Sequence, residues 1–315
     1  MRNEKKNCFL NDAIKYFILF SCCFVASSFP VHSDQLNWLQ ITQAPFIVSY
    51  TEMDTENAIR VLRILQSAYP ELAINFNDST NLPIRVFLCP SQSIFDEVTG
   101  HQIPEWGEGA ANTLQRKIIL KSPNWVVYSM DLKCLVIHEL THIILGHAAN
   151  DHSIPRWLNE GVAIHYSQDA SFSSGSLISK ALITNSIIPL SDIDYVLKFQ
   201  RSKAQLAYQE SYFAVKYLIE LYGEDVLKLL VQAIGTGQDP ESVFLHTIGK
   251  SSTAFEREWR LYLKKGHKWD FLQDLNIFLW IGIGLLFIIS IIGAYRRKRQ
   301  TLKRWDEEEN GAGYQ

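Results

Sequence analysis

Two histidines four positions apart flank a glutamate in His138-Glu139-Leu140-Thr141-His142. On a helix, residues four apart lie one above the other on one face. Two imidazole nitrogens placed in this way can reach one ion about 2.0–2.1 Å away, the usual zinc–histidine bond length. Glu139 is rotated around the helix from both histidines and can address water on the metal, which is the placement of a general base. A catalytic zinc takes a third protein ligand and keeps one position open. Glu160 lies 18 positions after His142, in Arg156-Trp157-Leu158-Asn159-Glu160-Gly161-Val162-Ala163, a carboxylate amid small and apolar residues at a helix start. It is the candidate third ligand. A first-turn acid is also favoured by the helix dipole without any metal.

Other metal readings fit less well. A metzincin extension requires glycine three and histidine six positions after the second ligand, where this chain has Leu145 and Ala148. His147 lies about 140° around the helix from His142 and faces elsewhere. His152 and His165 are read as surface groups or as groups beside the ligands. Cys134, one turn before His138 on the same face, reads as a packed thiol or as a thiolate near the zinc.

The two blocks, His138-Glu139-Leu140-Thr141-His142 and Trp157-Leu158-Asn159-Glu160-Gly161-Val162-Ala163, resemble the gluzincin metallopeptidases, above all the aminopeptidase-N-like branch and the smaller bacterial peptidase-MA-like domains. The resemblance covers roughly residues 100–222. It implies zinc held by His138, His142 and Glu160, with Glu139 as the base. It also implies a tyrosine that donates to the developing oxyanion, in a block like Ala207-Tyr208-Gln209-Glu210-Ser211-Tyr212. Tyr208 matches that position best, with Tyr212 one turn on; both also belong to an aromatic stripe at helical spacing. The aminopeptidase branch grips a free amino terminus through Gly-x-Met-Glu-Asn. Gly109-Ala110-Ala111-Asn112 lacks the Met-Glu pair, so aminopeptidase specificity is not implied.

The elements that must position these residues read as an α+β fold: a small N-terminal mixed α/β sheet region, then a mostly helical zincin half. Pro45–Tyr50 and Pro83–Leu88 read as strands. Asp54–Tyr69 has helical spacing, with Asp54 as its cap and Pro70 as its end. Ser91–Val98 reads as a short helix, and Gly107–Ala111 leads to an extended Arg116–Leu120 beside the site. Val126–Ala149 is read as the motif helix and Pro155–Gln168 as the second. Ser171–Ser176 is loop-like. Ala204–Tyr222, closed by Gly223, Glu224–Ile234, Pro240–Ile248 and Ser252–Lys265 complete the helices.

Both ends of the 315-residue chain carry membrane signals. Residues 1–33 read as a signal peptide, or as an uncleaved signal anchor, with an apolar core from Tyr16 to Phe29. Leu275–Tyr295 is 21 residues without a charge, long enough to span a bilayer. Arg296-Arg297-Lys298-Arg299 follows, which places the tail 296–315 in the cytoplasm and residues 34–274 outside it. The expected protein is thus single-pass in the cell membrane, with the bilayer as a partner through its C-terminal helix. Of five cysteines, only Cys89 and Cys134 lie in the outer domain, either paired or as two free thiols. A net charge of −3 gives no sign of a nucleic-acid partner.

The expected function is hydrolysis of a peptide or protein by zinc-activated water. The alternatives are an inactive extracytoplasmic module of zincin fold, used for binding or scaffolding, and the same machinery turned on a non-peptide amide.

Overall fold

The structure is a computed structural model that describes residues 36–311 apart from 79, 81 and 269. The signal segment expected at 1–33 lies outside the described residues. Strands β1 (Leu39–Gln43) and β2 (Phe46–Tyr50) form an antiparallel hairpin. Helix α1 (Thr55–Phe76) carries the chain to β3 (Ile84–Cys89), which pairs parallel with β2. Helix α2 (Gln92–Thr99) follows, then β4 (Gly109–Asn112) and β5 (Lys117–Lys121). The sheet order is β1-β2-β3-β5-β4, with β5 parallel to β3 and β4 antiparallel at the edge. The remaining elements are helical: α3 (Leu132–Ala148), α4 (Arg156–Ser167), α5 (Ser176–Thr184), a 3-10 segment (Leu190–Lys198), α6 (Arg201–Tyr222), α7 (Asp225–Ile234), α8 (Pro240–Ile248), α9 (Ser252–Gly266) and α10 (Phe271–Gly311). The α+β architecture is therefore the one expected, with strands first and helices after.

Three local expectations change. Helix α1 does not stop at Pro70 but runs through it to Phe76. An interior proline costs about 3 kcal/mol. Here Pro70 is exposed, where water can take up the freed carbonyl, and the continued helix buries Leu72 and Phe76, each contributing about 2 kcal/mol. Asp54 precedes α1 but makes no side-chain cap; its buried carboxylate instead accepts from Ser122 Oγ, Asn124 Nδ2 and Asn57 Nδ2. The motif helix starts at Leu132 rather than Val126, because Asp131 caps it by accepting from Lys133 N at 2.7 Å. Cys89 and Cys134 are unbonded.

Helix α3 lies in the main core against α1, α4 and the sheet. Its buried Leu135, Val136, Leu140, Ile143, Ile144 and Leu145 surround the motif. At about 2 kcal/mol for each such side chain, this burial offsets the cost of holding ionisable groups in the same interior. Helix α4 packs across α3 and is backed by α6.

Helix α10 is of another kind. Leu279–Trp305 is long and apolar enough to cross a membrane, and none of that stretch is buried. Large apolar side chains such as Leu286, Phe287 and Ile289 are each more than 60% exposed, so this is not a core helix of the domain.

Candidate metal centre

Helices α3 and α4 bring His138, His142 and Glu160 together. His138 Nε2 and His142 Nε2 are 3.1 Å apart. Glu160 Oε2 is 3.2 Å from the first and 3.5 Å from the second. Tetrahedral ligands about 2.05 Å from a zinc ion stand about 3.3 Å from one another. The three donor atoms therefore have the spacing of one face of such a shell, and the set of two imidazoles and one carboxylate suits zinc. Two further observations fit a cation. Glu160 is 2% exposed, and its Oε2 has no hydrogen-bond partner among the described residues. Glu160 also remains charged: burial pushes its carboxyl up, but Arg156 and His142 outweigh that and hold it well below the usual carboxylate range.

Neighbouring groups fix the orientation of His142 and Glu160. His142 Nδ1 lies 2.9 Å from Asn159 Oδ1. A carbonyl oxygen only accepts, so Nδ1 carries a proton and Nε2 is the nitrogen turned toward Glu160 and His138. Arg156 Nε lies 2.9 Å from Glu160 Oε1, one turn back on α4. That leaves Oε2 for the histidines.

Glu139 points into the same cleft and is buried. Burial pushes its carboxyl up, while His138 and His142 pull it partly back. Strand β4 passes directly over it. A β-carbon on Gly109 would lie 2.8 Å from Glu139 Oε1, so glycine there is what lets the strand approach the carboxylate so closely.

The cleft has a volume of about 660 Å³. One wall is the 102–111 segment leading into β4; the other is the 169–177 segment together with α6. Lys121 steadies the first wall: its buried amine donates to the Glu105 carbonyl at 2.8 Å. Tyr208 stands between the walls, edge-on to Trp106 (6.4 Å between ring centroids) and to Phe172 (6.2 Å). Burial, then the Glu160 charge, push its phenol above its ordinary value, so it stays a neutral O–H donor. Tyr212, one turn on, does not line this cleft.

The other candidates lie elsewhere. His147 Nδ1 is 3.0 Å from Asp78 Oδ1, His165 pairs with Glu224 at 3.3 Å, and His152 meets the Ala149 carbonyl. Cys134 is not among the converging donors. Sequence reasoning missed Asn159 and Arg156. Both had a signal, since Asn159 adjoins Glu160 and Arg156 is four residues before it, the spacing of a helical ion pair. Trp106, Phe172 and the role of Gly109 had none, because they join the site only through tertiary approach.

Two helix-borne histidines and a glutamate from the next helix form a set of donors that could hold a metal ion. The sequence profile of the Peptidase MA superfamily matches residues 65–265, from the middle of α1 to the end of α9, and the chain belongs to that family. The family is typically zinc-dependent. No curated protein matches the chain.

Proposed function

We propose that the chain is a membrane-anchored zinc peptidase, with His138, His142 and Glu160 as the metal ligands. The observation that carries this reading is the convergence of His138 Nε2, His142 Nε2 and Glu160 Oε2 in an open cleft that also holds Glu139. Zinc bound there supplies Lewis acidity toward the scissile carbonyl and toward water. Glu139 takes the proton from the attacking water and returns it to the leaving nitrogen. Tyr208 donates its O–H to the oxygen on which negative charge develops. Asn159 holds His142 in its working orientation, and Arg156 offsets the charge of Glu160 until a cation is bound. Strand β4 is an edge strand lining the cleft, so an extended peptide can pair with it along its free side. That favours a polypeptide over a compact amide as substrate.

The proposed domain plan is a targeting segment at 1–33, the catalytic domain at 34–274, a span at 275–295 and a tail at 296–315. The exposed apolar face of α10 and the basic run after Tyr295 support anchoring with the tail cytoplasmic and the cleft extracytoplasmic. Tyr295 stands at the end of the apolar stretch, where interfacial aromatics belong.

The test is cleavage profiling of membranes that carry the wild-type chain against the Glu139→Gln chain. Fragments that appear only with the wild type support the hydrolase. Identical profiles refute it and leave a binding or scaffold module.

A further inference from the structure

Four residues, 267–270, separate the last helix of the domain from the apolar helix. Helix α9 ends at Gly266 and α10 begins at Phe271. The His267 ring packs edge-on against Phe213, 4.6 Å between centroids, and its Nδ1 is 2.6 Å from Asp270 Oδ2. The Lys268 carbonyl accepts from Ser179 Oγ at 2.7 Å. Asp270 rests on Gly175, where φ is +65° and an added β-carbon would lie 2.4 Å from the Asp270 carboxylate. Glycine suits that position through its backbone conformation, and it lets the Asp270 carboxylate come close.

These same contacts tie the start of α10 to the cleft. Gly175 lies between Ser174 and Ser176, which line the cleft with Phe172 and Leu177. Ser179 is on α5, whose first turn belongs to that wall and which packs against α10. Phe213 is on α6, the helix that carries Tyr208. The wall of the cleft and the root of α10 are thus joined by direct contacts.

The height of that piece above the bilayer follows from helix geometry. Leu275, the first residue of the uncharged run, is five residues past Asp270, about 7 Å along a helix axis. A headgroup layer is about 5–8 Å deep on each side. With α10 taken along the bilayer normal, Asp270 and Gly175 stand at the outer edge of the headgroups, beside Ser174 and Ser176 of the cleft wall.

We propose that the cleft acts on polypeptide segments presented at the membrane surface, cutting an extended chain within about ten residues of its own membrane-embedded segment. This rests on the hydrolase reading and on α10 as the anchor. A polypeptide held in the same bilayer reaches the cleft at high effective concentration. A free peptide gains nothing from the low, fixed height of the site.

The test uses the full-length chain in phosphatidylcholine–phosphatidylglycerol vesicles with a co-reconstituted reporter. The reporter is a single transmembrane helix followed, on the side of the catalytic domain, by a 30-residue arm of randomised sequence. Cut positions are mapped by mass spectrometry. Glu139-dependent cuts are expected to cluster within about ten residues of the membrane, at least tenfold above the outer third of the arm. A second enzyme carries a polar, helix-forming seven-residue insert between Asp274 and Leu275. That raises the domain about 10 Å with only about 20° of rotation and leaves the contacts at Asp270 intact. The cluster should then move outward by about three residues, at about 3.3 Å per extended residue. Cuts spread evenly along the arm, or a cluster that stays put when the domain is raised, overturn the proposal and leave the hydrolase standing. If no Glu139-dependent cut occurs anywhere on the arm, the hydrolase reading fails and this inference fails with it.

Discussion

Arg156 and Glu160 stand one turn apart on α4 with Nε 2.9 Å from Oε1, and this divides the two oxygens of one buried carboxylate between a guanidinium and a pair of histidines. Removing one partner of a fully buried ion pair costs about 3–5 kcal/mol. Arg156 is one-third exposed, so a smaller loss of about 1–3 kcal/mol is expected for Arg156→Gln in metal-free protein. Added zinc should restore more stability to the variant than to the wild type, because the cation replaces the lost positive charge beside Glu160. Thermal melts with and without chelator check this. Equal zinc-dependent shifts in both proteins would mean that the pair does not balance the site.

The bond from His142 to Asn159 makes a prediction about metal affinity. Asn159→Leu should weaken zinc binding about ten- to hundredfold, the usual cost of losing such an orienting partner. Asn159→Asp keeps an acceptor oxygen and should stay near the wild type. Competition with a calibrated chelator measures both. Equal affinities for Leu and Asp would show that the bond orients nothing.

Gly109 sets how closely β4 passes over Glu139. In Gly109→Ala the new carbon would lie 2.8 Å from Glu139 Oε1, so the carboxylate or the strand must shift. Turnover should fall, by about a hundredfold for a displacement near 1 Å, while zinc content stays unchanged. A variant with wild-type turnover would place the working position of Glu139 away from β4.

The site and the fold were legible in the sequence to different depths. His138, Glu139, His142 and Glu160 could be read because helical spacing alone brings the first three to neighbouring faces, and a short connection folds α4 back across α3. Pro70 misled because local chemistry ends a helix there, whereas the buried positions of Leu72 and Phe76 depend on a core formed by distant strands. Helix α5 went unread because it is only nine residues long and follows a serine-rich stretch with turn chemistry. Asn159 and Arg156 lay inside the block that had been read, yet their partners follow only from how α4 meets α3.

Glu210 predicts a pH dependence of stability. It is fully buried on α6, Oε1 accepts from Ile188 N at 3.1 Å, and Oε2 has no partner among the described residues. Burial pushes its carboxyl up to about 8, although the Ile188 N–H and Arg260 act the other way, as does Lys203, against Glu256. The folded value lies above the unfolded value of about 4.3, so the contribution is complete below pH 4.3 and is lost as pH rises through 8. Between those limits this group lowers stability by about 1.4 kcal/mol per pH unit. Glu210→Gln cannot ionise, so its melting temperature should fall less between pH 5 and 8.5. Parallel curves for the two proteins would mean that Glu210 is ionised in the folded state.

The central claim is that one zinc ion sits where His138, His142 and Glu160 converge. Anomalous diffraction at the zinc edge, from crystals of the purified full-length chain, tests it most directly. The expected result is one peak about 2.0–2.2 Å from His138 Nε2, His142 Nε2 and a Glu160 oxygen, retained in Glu139→Gln and absent in Glu160→Ala. A zinc-loaded chain with no peak there, or with its peak on other ligands, would contradict the account.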